Sequence, residues 1–245
     1  MKLYVIGIGP GELPQMTPRA AQAIAASQVV AGYTLYLELI EPLLAGKERI
    51  STAMKGEVKR CKAAVDAALS GRTVAVISSG DAGVYGMAGL VLELAAPYPQ
   101  LEVEVIPGIT AACASAAVLG APLGHDFAVI SLSDLLTDLA LIEKRIRLAS
   151  QADFLLCLYN PASKKRADYL GRACAIVLEN RPGETPCGIV RNAGRQSQRH
   201  EIMALSELAR TQVDMFTTVI IGNSQTKIIG GRLVTPRGYL GLVVN

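Results

Sequence analysis

The sequence predicts an α/β protein in which short buried strands alternate with helices along both halves of the chain. The clearest stretch is V-A-V-I-S-S-G-D-A-G-V-Y-G at residues 74–86, where a small apolar run ends in a Gly-Asp turn and leads into a helix at 87–96. Two further predicted strands end in similar turns, at Gly9–Gly11 and Pro107–Ala111. In the second half, apolar runs such as Phe154–Leu158 have the length of strands. Polar residues and glycines between a strand and a helix are typical of ligand sites in open α/β sheets.

Composition limits the classes of function. The 245 residues are 51% hydrophobic and 18% charged, with a net charge of +3, which is too small to indicate a nucleic-acid partner. The apolar runs are far shorter than the ~20 residues of a membrane span, and Lys2–Ile6 is too short for a signal peptide. We therefore predict a cytoplasmic protein without a nucleic-acid or membrane partner.

Metal binding is not expected either. The five cysteines show no C-x-x-C spacing and there are only two histidines. Reduced thiols that pack as small buried side chains are the interpretation this favours.

The first half of the chain yields five strands and five helices. Thr17-Pro18 is a helix N-cap followed by proline at the first helical position, with Ala20, Ala21, Ile24 and Ala25 on one face. Along 54–69, Val58, Cys61, Ala64, Val65 and Ala68 form a helical stripe that Gly71 ends. The predicted strands are 2–8, 28–31, 49–51, 74–77 and 102–106, and the other helices are 33–44, 87–96 and 111–119.

The motif G-A-P-L-G at 120–124 is the best boundary candidate, so we predict an N-terminal α/β domain at 1–120 and a C-terminal α/β domain at 121–245. A hairpin is predicted at 227–234 around Gly230-Gly231, and antiparallel pairing is expected to be commoner in this half. The predicted strands are 126–131, 154–159, 185–191, 201–203 and 216–222, and the helices are 139–149, 163–178 and 205–209.

Three loops of the first half follow predicted strands, namely Gly9–Gly11, Gly80–Gly86 and Pro107–Ala111. In a parallel sheet the carboxyl ends of the strands lie on one edge, so the three loops are expected to converge on a ligand site. The first loop fails the dinucleotide fingerprint, because Glu12 replaces the third glycine and Pro10 lacks an N–H. Each loop taken alone is equally well a plain connection between strand and helix.

Several spaced motifs together resemble the tetrapyrrole methylases, which use S-adenosylmethionine in cobalamin and sirohaem biosynthesis. They are V-I-G-I-G-P-G (5–11), S-S-G-D-A-G-V-Y-G-M-A-G (78–89), I-P-G-I-T-A (106–111) and L-Y-N-P (158–161). Together with H-D-F-A-V-I-S-L-S-D-L-L (125–136) and T-P-R-G-Y (235–239), they are most similar to the branch that methylates C-17 of precorrin-3B with ring contraction. A branch that acts on a cobalt-containing substrate shares these motifs and stays open.

The resemblance implies two α/β domains with the active-site cleft between them, a homodimer, and a bent S-adenosyl-L-methionine in the cleft that leaves as S-adenosyl-L-homocysteine. It also implies the cofactor-binding residues by their positions in the motifs. These are Gly9, Pro10, Gly80, Asp81, Ala82, Val84, Thr110 and Ala111 in the first domain, and Tyr159, Asn160, Gly188, Val190 and Thr217 in the second.

Methyl transfer from a sulfonium is an in-line displacement, so the protein mainly supplies position, and Asp81 is expected to orient the cofactor. Ring contraction also needs an acid or base. The candidates are Asp81, Tyr85, His125, Asp126, Ser131 and Asp134. A structural histidine and a helix cap are the alternatives for His125 and Asp134.

The many carboxylates of the substrate call for cations near the site. The candidates are Lys55, Lys164, Lys165, Arg191, Arg195 and Arg237, and a solvated basic face is the alternative for Lys164–Arg166. Two other functions stay open: a related methylase with another acceptor, such as the sirohaem-forming enzyme or one for diphthine synthesis, and a non-catalytic tetrapyrrole- or nucleotide-binding module.

Overall fold

The computed structural model describes residues 1–163 and 168–239, which form two compact units. Unit 1 comprises Met1–Ala111 together with Gly194–Gln196, and unit 2 comprises Ala112–Ala193 and the chain from Ser197 onward. The predicted division after residue 120 falls within unit 2, so the domain assignment stays a prediction.

Unit 1 is built on a parallel sheet of five strands in the order β3-β2-β4-β1-β5. The strands are β1 (Lys2–Gly7), β2 (Val29–Tyr33), β3 (Glu48–Thr52), β4 (Thr73–Ser78) and β5 (Glu102–Ile106). The helices are α1 (Pro18–Ala26), α2 (Thr34–Leu39), α3 (Glu57–Leu69) and α4 (Ala88–Ala95), with short 3₁₀ turns at Leu13–Gln15 and Glu41–Leu43. Two hydrophobic clusters pack against this sheet, one containing residues of α3 and α4 and the other residues of α1 and α2.

The sequence placed these elements within a few residues, with two corrections to the buried faces. Thr17 caps α1 as predicted, since its hydroxyl accepts a 3.2 Å hydrogen bond from the Ala20 amide. In α1, however, Ala23 is buried and Ala25 is exposed. In α3, Val58 is 60% exposed whereas Arg60 is buried, so the predicted stripe is wrong at its first position.

Unit 2 contains a mixed sheet in the order β10-β9-β11-β8-β7, in which only β7 and β8 are parallel neighbours. The expected shift toward antiparallel pairing is thus confirmed. The strands are β7 (Phe127–Ser131), β8 (Leu155–Tyr159), β9 (Pro186–Arg191), β10 (Arg199–Ala204) and β11 (Thr217–Ile221). The helices are α5 (Ala111–Leu119), α6 (Leu139–Gln151), α7 (Tyr169–Leu178) and α8 (Leu205–Leu208).

A third, small sheet joins β6 (Gly120–Ala121), β12 (Lys227–Ile229) and β13 (Arg232–Val234). The predicted hairpin around Gly230-Gly231 is β12–β13. The G-A-P-L-G motif therefore begins as a strand that pairs with β13. The predicted helix 163–178 begins later than expected, as α7 starts at Tyr169 with Asp168 as its N-cap. Residues 164–167 lie outside the described residues.

No helix within 1–163 or 168–239 is long and apolar enough to cross a membrane.

Candidate functional site

The three loops predicted to converge do converge in unit 1. Strand β1 lies between β4 and β5 with all three parallel, so their carboxyl ends are neighbours on one edge of the sheet. Beyond the strands, the Gly9 amide donates to the Gly80 carbonyl at 3.1 Å and the Gly80 amide donates to the Gly9 carbonyl at 2.7 Å. The loop after β1 is thus paired directly with the loop after β4.

Asp81 joins the second and third of these loops. Its Oδ1 accepts from the backbone amide of Gly83 at 2.7 Å, and its Oδ2 accepts from the backbone amide of Gly108 at 2.9 Å. Both carboxylate oxygens are therefore engaged by backbone donors, which fits an orienting role better than proton transfer.

Glycines allow the loops to approach this closely. A Cβ at Gly7 would lie 2.7 Å from the Gly108 nitrogen, and one at Gly108 would lie 2.2 Å from the Gly80 oxygen. Gly80 itself has φ +71°, and a Cβ there would be in van der Waals contact, 3.7 Å from the Ala111 nitrogen and the Thr110 Cα. The loop after β4 therefore packs directly against the loop after β5 at this point, in a conformation that favours glycine.

The other residues predicted for the cofactor in this unit differ in exposure. Pro10 and Ala82 are buried, whereas Val84 is 36% exposed and Thr110 is half-buried at the start of α5. Tyr85 is 57% exposed and has φ 54°, a left-handed conformation that costs about 1–3 kcal/mol for a bulky residue. Such strain is retained at sites where the fold needs a side chain presented in one direction.

A segment that the sequence did not connect to this site belongs to unit 1. The Glu12 amide donates to the Gly194 carbonyl at 2.8 Å, and a Cβ at Gly11 would lie only 1.9 Å from that oxygen. This contact brings half-buried Arg195, a predicted substrate-binding cation, to the loop after β1. The sequence signal for this close approach is the glycine at position 194, which has φ +73° in the structure.

In unit 2, the residues predicted at the ends of β7 and β8 come together. The Tyr159 hydroxyl accepts a 2.7 Å hydrogen bond from the Ala112 amide and so satisfies a donor at the N-terminus of α5. Asn160, with φ 52°, donates from Nδ2 to the Ser131 hydroxyl at 3.0 Å. The Ser133 amide donates to the same hydroxyl at 3.2 Å.

Gly188, Val190 and Thr217 lie further inside unit 2. A Cβ at Gly188 would lie 2.6 Å from Leu119 Cδ1, and the side chain of Val190 is fully buried. Thr217 is 2% exposed and its hydroxyl donates to Asp214 Oδ1 at 2.8 Å. Gly188 and Val190 are thus closely packed and the Thr217 hydroxyl is hydrogen-bonded, and the cofactor role of all three residues stays a prediction.

Three of the four predicted acid–base residues of unit 2, His125, Ser131 and Asp134, have a hydrogen-bond partner. His125 Nε2 lies 2.9 Å from the Pro236 carbonyl oxygen. Asp134 Oδ2 accepts from the Tyr169 hydroxyl at 2.7 Å, and this bond raises the pKa of Tyr169. The helix-cap alternative for Asp134 is wrong, because Asp138 caps α6 by accepting from the Ala140 amide.

The predicted substrate-binding cations differ in their local surroundings. Lys55 has φ 69°, Arg191 donates to the Gln212 carbonyl at 2.5 Å, and Arg237 is exposed. Lys164 and Lys165 lie outside the described residues.

All five cysteines are free thiols, and four of them are buried as predicted, whereas Cys113 is exposed. Burial raises the pKa of Cys157 and of Cys174 to about 12. Within the described ranges, no group of three or more His, Cys, Asp or Glu side chains could hold a metal ion.

Comparison with known proteins gives consistent matches. The family model "Tetrapyrrole (Corrin/Porphyrin) Methylases" matches residues 2–209. A protein of Salmonella typhimurium named "Probable cobalt-factor III C(17)-methyltransferase" is 48% identical over 97% of this chain and 99% of its own length. A "Precorrin-3B C(17)-methyltransferase" of Sinorhizobium sp. is 41% identical over 98% of this chain and 97% of its own. The crystal structure of the methyltransferase CobJ superimposes with a TM-score of 0.88 at 36% identity, covering 96% of this chain and 99% of that chain.

Proposed function

We propose that this chain, which belongs to the tetrapyrrole (corrin/porphyrin) methylase family, methylates C-17 of a corrin precursor in cobalamin biosynthesis. Contraction of the macrocycle accompanies this methylation. The observation that supports this most strongly is the junction of three loops at the carboxyl edge of the unit 1 sheet, where Asp81 and Gly80 lie in the motif shared with that family. Both relatives described above are named for C-17 methylation.

Tetrapyrrole methylases use S-adenosylmethionine, and we propose the same donor here. When bound, it supplies an electrophilic methyl group and leaves as S-adenosylhomocysteine. Gly80 packs against the backbone of Thr110 and Ala111, and we propose that the two loops joined there contact the cofactor. Asp81 would keep those loops in register, and exposed Val84 and Tyr85 would contact the cofactor or the macrocycle.

The protein's part in methyl transfer is positioning, because an in-line displacement by a ring carbon needs alignment rather than an enzymic nucleophile. For unit 1, the glycine-packed junction supplies that rigidity. In unit 2, Tyr159 and Asn160 lie beside Ser131 at the ends of β7 and β8, and we propose that Tyr159 and Asn160 contact the cofactor.

Two substrates are supported, one containing cobalt and the other free of metal. Cobalt-factor III is favoured by the relative at 48% identity. Precorrin-3B, which the sequence motifs favoured, is supported by the relative at 41% identity.

The test is anaerobic turnover of the purified protein with S-adenosylmethionine and either cobalt-factor III or precorrin-3B, followed by mass and absorbance together. Gain of one methyl group with the spectrum of a contracted ring supports the function and identifies the substrate. Failure to methylate either compound, while S-adenosylhomocysteine still binds, would reject C-17 methylation. Only membership of the wider family would then remain. The predicted homodimer and cytoplasmic location are tested by light scattering and by cell fractionation.

A further inference from the structure

Arg60, which the sequence did not single out, is a buried cation of unit 1 with few hydrogen-bond partners. It lies in the first turn of α3 and is only 4% exposed. Nη1 donates to the Thr52 hydroxyl at 2.5 Å, Nη2 lies 3.8 Å from the Met87 sulfur, and Nε has no partner. No Asp or Glu side chain among residues 1–163 and 168–239 forms an ion pair with this guanidinium.

This arrangement is unusual because a guanidinium has five N–H donors and a full positive charge. A hydroxyl and a thioether supply no negative charge, and an uncompensated buried ion costs several kcal/mol. Arg181 of unit 2 shows the structural alternative. It is also buried and its Nε also has no partner, but its two Nη atoms donate to the backbone carbonyls of Gly222, Phe154 and Ser150. Arg60 has no such set of backbone acceptors.

Arg60 lies at the carboxyl edge of the unit 1 sheet, the edge where the predicted cofactor loops also begin. Its partner Thr52 is the last residue of β3 and is in register with Tyr33, the last residue of β2. Its other contact, Met87, follows the loop after β4, and the Met87 amide donates to Ser78 at the end of that strand. The guanidinium therefore borders the end of the loop after β4, one of the two loops that Asp81 joins.

A second guanidinium acts on the same region. Burial raises the pKa of the Tyr36 phenol, and the positive charges of Arg195 and Arg60 oppose that rise. The acid that acts on the same phenol is Glu57, whose Oε1 already accepts from the Lys55 amide at 3.1 Å. Arg60 therefore has an electrostatic effect on Tyr36, a residue of α2 in the same unit.

We infer that Arg60, with its partner Thr52, binds a carboxylate side chain of the tetrapyrrole substrate. The inference rests on the proposed function for the identity of the ligand. A carboxylate would supply the missing negative charge and accept from the unused donors of the guanidinium, which suits the planar fork of arginine better than the point charge of lysine.

The test uses a ligand whose binding does not require turnover. Uroporphyrin III, a porphyrin with eight carboxylates, is titrated into the full-length protein by fluorescence at two salt concentrations. The variant Arg60→Met removes the charge and keeps the bulk, and Arg49→Met is the control, since Arg49 is an exposed arginine of β3 that pairs with Glu41. Affinity for S-adenosylhomocysteine is measured in parallel by calorimetry.

We expect Arg60→Met to weaken uroporphyrin binding by about 10–100-fold, the range for a hydrogen bond to a charged group. The salt dependence of binding should fall as well, whereas the affinity for S-adenosylhomocysteine and the Arg49→Met control should stay close to wild type. Thermal stability should be unchanged or higher, because an unpaired buried charge has been removed. If Arg60→Met does not fold, Arg60→Lys, which keeps the charge without the fork, should show a smaller loss of the same kind.

Unchanged porphyrin affinity in Arg60→Met, or wild-type protein that does not bind uroporphyrin III at all, would overturn the inference. Loss of S-adenosylhomocysteine binding instead would assign the position to the carboxylate of the cofactor and would also overturn it. The proposed function is rejected by a different result, in which wild-type protein methylates neither precursor. In that case porphyrin binding could still depend on Arg60, so the two failures are distinguishable.

Discussion

The carboxylate of Asp81 accepts a 2.9 Å hydrogen bond from the backbone amide of Gly108 and so joins the loop after β4 to the loop after β5. Its other oxygen is held by the Gly83 amide at 2.7 Å. This arrangement makes Asp81 a structural link within the proposed cofactor site, and it gives the sequence motif Gly80-Asp81 a physical role that can be tested apart from catalysis.

Asp81→Asn should lower the free energy of unfolding by about 1–3 kcal/mol, because one amide would face an NH₂ donor instead of an acceptor. Binding of S-adenosylhomocysteine should weaken at the same time. Urea unfolding and calorimetry measure the two effects, and Asp66→Asn, at an exposed position of α3, is the control. A variant with wild-type stability and cofactor affinity that has lost only methyl transfer would instead support the acid–base role predicted from the sequence.

Gly108→Ala should destabilise unit 1 by about 1–3 kcal/mol or more, since the new Cβ would lie 2.2 Å from the Gly80 oxygen. Gly89→Ala, in α4, has no atom within 4 Å of the added Cβ and should stabilise the protein by about 0.5–1 kcal/mol. Opposite signs in thermal unfolding are expected. Equal effects of the two substitutions would show that the close packing of the loops does not limit stability.

Tyr159→Phe removes the acceptor of the buried Ala112 amide at the start of α5. We expect a loss of about 1–3 kcal/mol, the cost of an unsatisfied buried donor. Hydrogen exchange of the Ala112 amide should accelerate in this variant and stay slow in Tyr98→Phe, which changes a tyrosine that is 37% exposed. Unaltered exchange would mean that another group replaces the phenol.

One of the five thiols should react quickly with a disulfide reagent at pH 8. Cys113 is exposed, whereas the other four are buried, and burial raises the pKa of Cys157 and Cys174 to about 12, so they remain protonated. Spectroscopic titration of native protein should count a single fast thiol that disappears in Cys113→Ser. Two or more fast thiols would show that a buried cysteine opens readily to solvent.

The stabilising effect of Glu104 should disappear in acid. Hydrogen bonds from Lys2 and Arg19 lower the pKa of Glu104 below its ordinary value of 4.5. Because the folded-state pKa is depressed, the contribution is present above the unfolded-state pKa and is lost as the pH falls through the folded-state pKa. The difference in unfolding free energy between wild type and Glu104→Gln should be constant from pH 6 to 8 and shrink below about pH 4.5. The control is Glu93→Gln, at an exposed position of α4, for which this difference should not change in the same way with pH.

Much of the fold followed from local patterns. Strand β5 and helix α5 lie at the predicted residues, and the hairpin β12–β13 turns at Gly230-Gly231 as expected. The errors fall where a long side chain changes the pattern: Arg60 is buried on a face predicted to be apolar, and Val58 is exposed. Hydrophobic periodicity assigns a charged residue to solvent by default, so it cannot find a cation that the fold encloses.

The sequence by itself determined the α/β class, the convergence of three loops on one sheet edge and the family, because apolar runs, turn residues and spaced motifs are all local signals. Only the tertiary structure decided that Gly108 and Gly83 engage Asp81, that Gly194 lies against Gly11, and that Thr52 is a partner of buried Arg60. These outcomes depend on the direction of side chains and on contacts between residues far apart in the chain. Neither periodicity nor spacing contains that information, since it arises only when the strands are in register and the loops are packed together.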